Sequence, residues 1–256
     1  MTFTMWSMGH IAFMISPFVL AGMLYCATKH HSYDVKRRVG IIIMGFAVVL
    51  LLARNIEIWF YKDFTLHYEI IPLQICHFAN FVLLAAFMKN NKTLYAFAFT
   101  LNLPAALASI IFANGLENYA TLLTYRGVAY ILGHMLIVSM TLFAYMHGFV
   151  KLNQAIIKKL FKVLVPLYAL AHVINNLFIV FLDQRANYFY TIKPEPGTPL
   201  ETFFDLGKVY TAGPLEINPL YMILTGLLGA GVIVLLYMVD KSLPYAPPIH
   251  TKKSEG

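Results

Sequence analysis

Long apolar runs alternate with short polar breaks along the whole chain. Seven runs reach the roughly 20 residues that an α-helix needs to cross about 30 Å of hydrocarbon. They are Ser7–Ala27, Gly40–Phe60, Ile70–Met88, Leu94–Phe112, Val128–Met146, Leu160–Leu182 and Pro219–Val239. The third and fourth are the shortest and are parted only by Lys89-Asn90-Asn91-Lys92. No internal repeat or low-complexity segment breaks the pattern. It predicts an all-α, polytopic transmembrane helix bundle over residues 1–246, with a short cytoplasmic tail at 247–256. The first run has no basic stretch before it, so it is expected to be a retained span rather than a cleaved signal.

Composition narrows the class further. Only 12% of the 256 residues are charged, 59% are hydrophobic, and the mean hydropathy is +0.68. A soluble domain carries about twice that charge, and disorder needs low hydrophobicity. Two cysteines exclude a disulfide scaffold and a multi-thiolate metal site. Cys26 and Cys76 fall near opposite ends of their spans, too far apart to pair, and Cys26 reads as packing.

In a soluble protein a net charge of +7 would suggest a nucleic-acid partner. Here its placement gives direction instead. Of the 19 basic residues, 13 lie in one set of alternate loops: Lys29, Lys36, Arg37, Arg38, Lys89, Lys92, Lys151, Lys158, Lys159, Lys162, Lys241, Lys252 and Lys253. The other set holds five, Lys62, Arg126, Arg185, Lys193 and Lys208, while Arg54 lies within a span. The positive-inside rule then puts the N-terminus outside and the C-terminus inside. Six spans would throw the two halves of the chain out of phase. The expected location is a cell membrane, as a multi-pass protein, with no nucleic-acid partner.

One loop is long. Asp183–Asn218, external by this topology, contains Lys193-Pro194-Glu195-Pro196-Gly197 and an amphipathic stretch, Leu200–Tyr210. Loops of this length are usually functional or disordered. Phe203, Phe204 and Leu206 beside Tyr210 point to a segment lying on the membrane surface, placed to act as a lid.

Polar side chains inside a bilayer are costly and usually face the bundle interior. With a rise of about 1.5 Å per residue, Glu57 and Arg54 lie roughly 5 and 10 Å below the outer end of span 2. Three residues apart, they share a face and are expected to pair. Gln74, Cys76, His77 and Asn80 on span 3 fall about 6 to 15 Å down, His134 on span 5 about 10 Å, and His172, Asn175 and Asn176 on span 6 about 9 to 15 Å. His10 on span 1 falls in the same zone. The outer half thus collects the polar residues and the inner half has almost none. Lone asparagines such as Asn80 and Asn102 read as interhelical glue. A set holding Arg, Glu, Cys and several His at one depth reads as a site.

Within that layer Cys76 is the one nucleophile with an obvious base supply. A thiol attacks as the thiolate, and a nearby imidazole promotes ionisation. His77 points about 100° away on the same helix, so His134 on another span is the expected partner. His77, His134, His172, Cys76 and Glu57 are also zinc-ligand types, but no close-spaced ligand motif occurs, and no metal or other cofactor is expected.

The segment Ile71-Pro72-Leu73-Gln74-Ile75-Cys76-His77 resembles the Pro-Leu-x-Leu-Cys signature of bacterial integral membrane proteins of the YwaF type. Further matches are Arg54 with Glu57, Gly133-His134, and Asn187-Tyr188 followed by Lys193-Pro194. The resemblance covers spans 2 to 6 and the long loop. That family looks related to a eukaryotic transmembrane cysteine acyltransferase that moves a fatty acyl chain from phosphatidylcholine onto lyso-ether phospholipids, and the wider group resembles membrane threonine hydrolases of fatty acid esters. The resemblance implies that Cys76 and His134 carry the chemistry. Ile75 replaces the signature Leu, and a Cys stands where the hydrolases have Thr.

The expected function is therefore that of a membrane-embedded thiol acyltransferase or acyl hydrolase. It would act on phospholipid acyl esters, with a lipid or amphiphile as acceptor. Gln74, His77, His172, Asn175 and Asn176 are the substrate or oxyanion candidates, and Arg54 with Glu57 is a structural or head-group ion pair. The alternative is a small-solute transporter or permease component using the polar cluster as a binding site. A conduit would need polar groups through both halves of the bilayer. A third reading makes the polar layer only a packing device.

Overall fold

In a computed structural model of the chain the described residues are 3–61, 68–119, 121–183 and 186–242. Lys62, Arg185, Lys252 and Lys253 of the charge pattern, and the 247–256 tail, lie outside them.

Among the described residues seven helical segments are long and apolar enough to cross a membrane, as the hydrophobic pattern predicts. They comprise α1 (Met8–Thr28), α2 (Tyr33–Tyr61), a third span Tyr68–Lys89 whose α-helical part is α3 (Ile75–Lys89), a fourth span made of α4 (Lys92–Phe97) and α5 (Leu103–Ile111), α6 (Tyr125–Met146), α7 (Gln154–Leu182) and, after the six-residue α8 (Leu200–Asp205), α9 (Pro219–Ser242). Successive spans alternate in direction. At the end of the bundle that carries residues 186–218, the loop end, His10 Nε2 bonds the Ile110 carbonyl at 2.8 Å. At the opposite end Thr28 meets His147 at 2.8 Å, and the Tyr33 hydroxyl donates to Asn90 at 2.6 Å.

Local chemistry moves three boundaries from where the apolar runs put them. α2 begins at Tyr33, seven residues before Gly40, because Lys36, Arg37 and Arg38 are good helix formers. α7 begins at Gln154, capped by Asn153, which accepts the Ile156 amide at 2.9 Å. α3 starts late, at Ile75 rather than Ile70. Pro72 lacks an amide hydrogen and biases Ile71 away from the helical region, so the chain runs as turns through 71–74. The Asn90-Asn91 break then makes a tight reversal. Asn90 takes the left-handed conformation (φ 48°), and Asn91 accepts the Thr93 and Leu94 amides.

Between α4 and α5 a π-helical turn, Ala98–Asn102, absorbs Pro104. Such bulges often mark functional sites. The main apolar core fills the half away from the loop end, with Met44, Leu83, Phe87, Tyr95, Met140 and Phe143 fully buried. Close approach of α2 and α3 there requires Gly40, since a Cβ on it would come within 2.3 Å of the Phe87 ring. α9 is held much more loosely, with only Tyr221 and Ile233 buried. It stands beside α7 across a large cavity from α2, α3, α5 and α6.

Residues 186–218 are ordered, but not as one long amphipathic helix. α8 stops at Asp205, and Tyr210 belongs to a hairpin of β1 (Tyr210–Ala212) and β2 (Leu215–Ile217), a small antiparallel sheet beside the helices. Gly207, just past the end of α8, is required by packing: the Asn218 side chain occupies the place where a Cβ would sit. Asn218 donates to the Phe204 carbonyl at 3.0 Å and accepts the Tyr221 amide at 3.1 Å, tying α8 to the start of α9. Gly213 (φ +61°) makes the hairpin turn. Leu206, Val209, Tyr210, Leu215 and Ile217 are exposed, so this segment presents apolar side chains outward.

Candidate active site

The cavity measures about 1010 Å³ and is polar toward the loop end and apolar toward the other. Cys76 and His134 face into it. The break at 71–74 puts Cys76 in the first turn of α3, not in mid-span. Gln74 occupies the cap position but supplies no side-chain cap. The first bonded amide is that of Phe78, to the Gln74 carbonyl at 2.9 Å. The Ile75, Cys76 and His77 amides have no acceptor among the described residues, as expected for an uncapped helix N-terminus. That end favours negative charge.

The Cys76 thiol and the His134 imidazole both line the cavity and lie close enough to interact electrostatically. His134 Nδ1 lies 2.6 Å from the Tyr130 carbonyl. A carbonyl only accepts, so Nδ1 carries the hydrogen and the lone pair of Nε2 is left for the thiol. The Tyr130 ring packs on the imidazole, centroids 4.2 Å apart, and its hydroxyl donates to the Ser109 carbonyl at 2.8 Å. The Ser109 hydroxyl stands 3.6 Å from the Cys76 sulfur. Ser109 and Tyr130 thus hold the pair from α5 and α6. Neither stands out in the sequence, because a serine or a tyrosine in an apolar run is ordinary.

Toward the loop end the charges pair differently from the expectation. Arg54 does not pair with Glu57. It forms a buried ion pair with Glu69 and donates to the Glu69 carbonyl at 2.9 Å and to Asn55 at 3.0 Å. The other Glu69 oxygen takes the Arg126 guanidinium at 2.9 Å. Glu57 instead accepts the backbone amide of Arg126 at 2.7 Å, a carboxylate on the first turn of α6. A shared helix face permitted an Arg54–Glu57 pair, but the main-chain and side-chain partners brought by other elements displaced it. Neither Glu69 nor Arg126 was expected at the site, because each falls just outside an apolar run. Arg126 also stacks on Tyr119, 4.9 Å from the ring centroid, and its Nε is buried without a partner.

The sequence model of one transmembrane family, TMEM164, matches residues 5–237. The chain belongs to the TMEM164 family. No curated protein and no solved structure matches it. The match carries this family and the multi-pass membrane character, not the narrower bacterial YwaF-type label. In this member of the TMEM164 family the matched residues run from before α1 almost to the end of α9 and so take in the whole cavity lining.

The remaining candidates divide by helix face. Gln74, His77 and Arg54 line the cavity with Cys76 and His134, and His77 Nδ1 is buried without a partner. Glu57, His172, Asn175 and Asn176 do not line it. Asn175 clamps the loop, accepting the Tyr188 amide at 2.8 Å and donating to the Tyr188 carbonyl at 2.9 Å and to Thr191 at 2.8 Å. Asn176 bonds His172 at 3.2 Å and accepts the Glu216 amide at 3.0 Å, joining β2 to α7. Their oxyanion candidacy gives way to a supporting role, because their polar atoms are spent on backbone. The clamp holds Phe189 (φ 56°) and Tyr190 (φ 53°) in the left-handed region, unusual for aromatic residues. Both then line the cavity. Asn80 donates to the Cys76 carbonyl at 3.1 Å, while Asn102 is buried away from the lining.

Glu195, from the Lys-Pro-Glu-Pro-Gly segment, also lines the loop end of the cavity. Burial raises its carboxyl above the usual carboxylate range. It has no cationic partner among the described residues. Among the described residues, no three His, Cys, Asp or Glu side chains gather as metal ligands would. Cys26 is free and exposed on α1, outside the core where packing was expected to place it.

Proposed function

We propose that the chain is a membrane-embedded enzyme of acyl transfer, a thiol acyltransferase or acyl hydrolase acting on phospholipid acyl esters. One observation carries the reading: a cavity-facing Cys–His pair sits at an uncapped helix N-terminus, with the imidazole tautomer set by the Tyr130 carbonyl. His134 Nε2 takes the thiol proton and the sulfur attacks the ester carbonyl carbon. The tetrahedral oxyanion finds the free amides of Cys76 and His77, with the Gln74 and His77 side chains beside them. The C–O bond to the lysolipid breaks, His134 returns its proton to the leaving alkoxide, and an acyl-thioester remains on Cys76. The second half reverses the roles. His134 deprotonates an acceptor hydroxyl or water, the new oxygen attacks the thioester, and the thiol re-forms. Every step balances with the thiol, the imidazole and two substrates.

The Tyr130 carbonyl does here what a carboxylate does in a three-residue triad, orienting the ring without adding charge. The gradient inside the cavity suits a lipid, with the Arg126–Glu69 and Glu195 end toward the head group and the apolar end toward the chains. With the positive-inside orientation, the cavity opens toward the outer leaflet of a cell membrane. The deciding experiment is incubation with a phospholipid labelled in its acyl chain, followed by mapping of a hydroxylamine-sensitive adduct. The label is expected on Cys76. Wild-type lipid turnover by Cys76→Ala would overturn the mechanism.

A further inference from the structure

The apolar part of the cavity has a feature that helix packing does not explain. Glycines on a membrane helix normally let another helix come close. Gly226 and Gly229 of α9 line the cavity, yet a Cβ built on either meets no atom within 4 Å. Here glycine keeps space open rather than closing it. The two lie three residues apart, on one face of α9. The Tyr168 hydroxyl bonds Thr225 at 2.8 Å, joining α7 and α9 just above them. Below that link the lining continues to Ile233 on α9 and to Phe161, Leu164 and Val165 on α7. The stretch of helix from Gly226 to Ile233 spans roughly 10 Å at about 1.5 Å per residue.

A second observation says that this space receives a ligand. Asn80, one turn beyond Cys76 on α3, is 4% exposed and lines the same cavity. Its amide nitrogen is used on the Cys76 carbonyl, and its Oδ1 is buried with no partner. A buried acceptor left unmatched is costly. It marks where a polar group of the occupant belongs, at the top of an otherwise apolar limb. The occupant is therefore an amphiphile with its polar part near Cys76 and its hydrocarbon beyond.

We propose that α7 and α9 form an acyl-chain groove leading away from Cys76, and that Gly226 and Gly229 set the chain length it accepts. This rests on the acyl-transfer reading. The test compares wild type with Gly226→Leu and Gly229→Leu, using phospholipids that differ only in acyl-chain length. Because the space beside both glycines is open, the variants fold, and Gly226→Ala melts at or above the wild-type temperature. Adduct formation from short-chain donors stays near wild type, while that from long-chain donors falls by about tenfold or more, the scale on which a hydrocarbon pocket discriminates. Gly231, which does not line the cavity and also has open space around it, serves as control: Gly231→Leu leaves the chain-length profile unchanged. An equal loss for all chain lengths, or no loss for long ones, overturns the groove.

Failure of the chemistry is separated by a binding experiment in the Cys76→Ala background. A long-chain phospholipid carrying a photoreactive group near its acyl terminus is cross-linked, and the labelled peptide is identified. Labelling within Met222–Ile233 that Gly229→Leu removes keeps the groove even if no thioester forms. Absence of labelling there overturns it.

Discussion

Two sets of polar residues lie at similar depth in the bundle and come to opposite ends. On α3 and α6, Cys76 and His134 meet across the cavity, backed by Ser109 and Tyr130. On α7, Asn175 and Asn176 point toward residues 186–218 and use their amides on Tyr188, Thr191 and Glu216. Side-chain chemistry alone does not separate them, since both sets hold a histidine and hydrogen-bonding neighbours. What separates them is whether their bonding capacity is already filled by main chain. A filled amide supports structure, whereas His134, with Nδ1 held by the Tyr130 carbonyl, keeps its other nitrogen for the cavity.

Substitution should break the two sets in different ways. Cys76→Ala is expected to remove lipid turnover and the thioester, a loss of roughly 10³-fold or more, as when one member of a nucleophile–base unit is deleted. Cys76→Ser should retain at most slow activity. His134→Ala should cost about 10² to 10⁴ in rate, the range of general acid–base catalysis, with the melting temperature in detergent little changed. Asn175→Ala should do the reverse, leaving the buried amide of Tyr188 unpaired at a cost of about 1–3 kcal/mol in stability. It should lower turnover only as far as Phe189 and Tyr190 lose their places. If Asn175→Ala abolished the adduct at unchanged stability, the distinction between the two sets would fail.

The smallest effect concerns Glu195. Burial raises its carboxyl, so the folded chain binds this proton more tightly than the unfolded chain does. Stability then falls as pH rises from the ordinary carboxylate value through the raised one. Glu195→Gln should flatten that slope in melts taken across weakly acidic pH, with little change at the acid end.

Much of the architecture was legible in one dimension. Seven apolar runs became seven spans because a bilayer-length helix must be apolar along its length, whatever it packs against. Asn90-Asn91 announced the reversal between α3 and α4. Depth placed Cys76 and His134 in one layer, and both line the same cavity. The ion pairs could not be read from the sequence. Arg54 and Glu57 were three residues apart, but Glu69 arrives from the turn before α3 and Arg126 from the start of α6. Nor could the placement of Cys76 at a helix start, since Pro72 sits inside an unbroken apolar run and only the folded chain turns that run into a loop and a helix.

Taken by itself, the sequence determined the membrane class, the number of spans, the alternation of basic loops and the identity of the lone thiol in the polar layer. Each follows from transfer of side chains between water and hydrocarbon, a property of residues one at a time. Tertiary structure decided which oxygen each arginine bonds, which asparagines are spent on backbone, which tautomer His134 adopts, and that Gly226 and Gly229 border open space. Those outcomes depend on directions and distances between groups on separate helices, which fold together only when the whole bundle closes around the cavity.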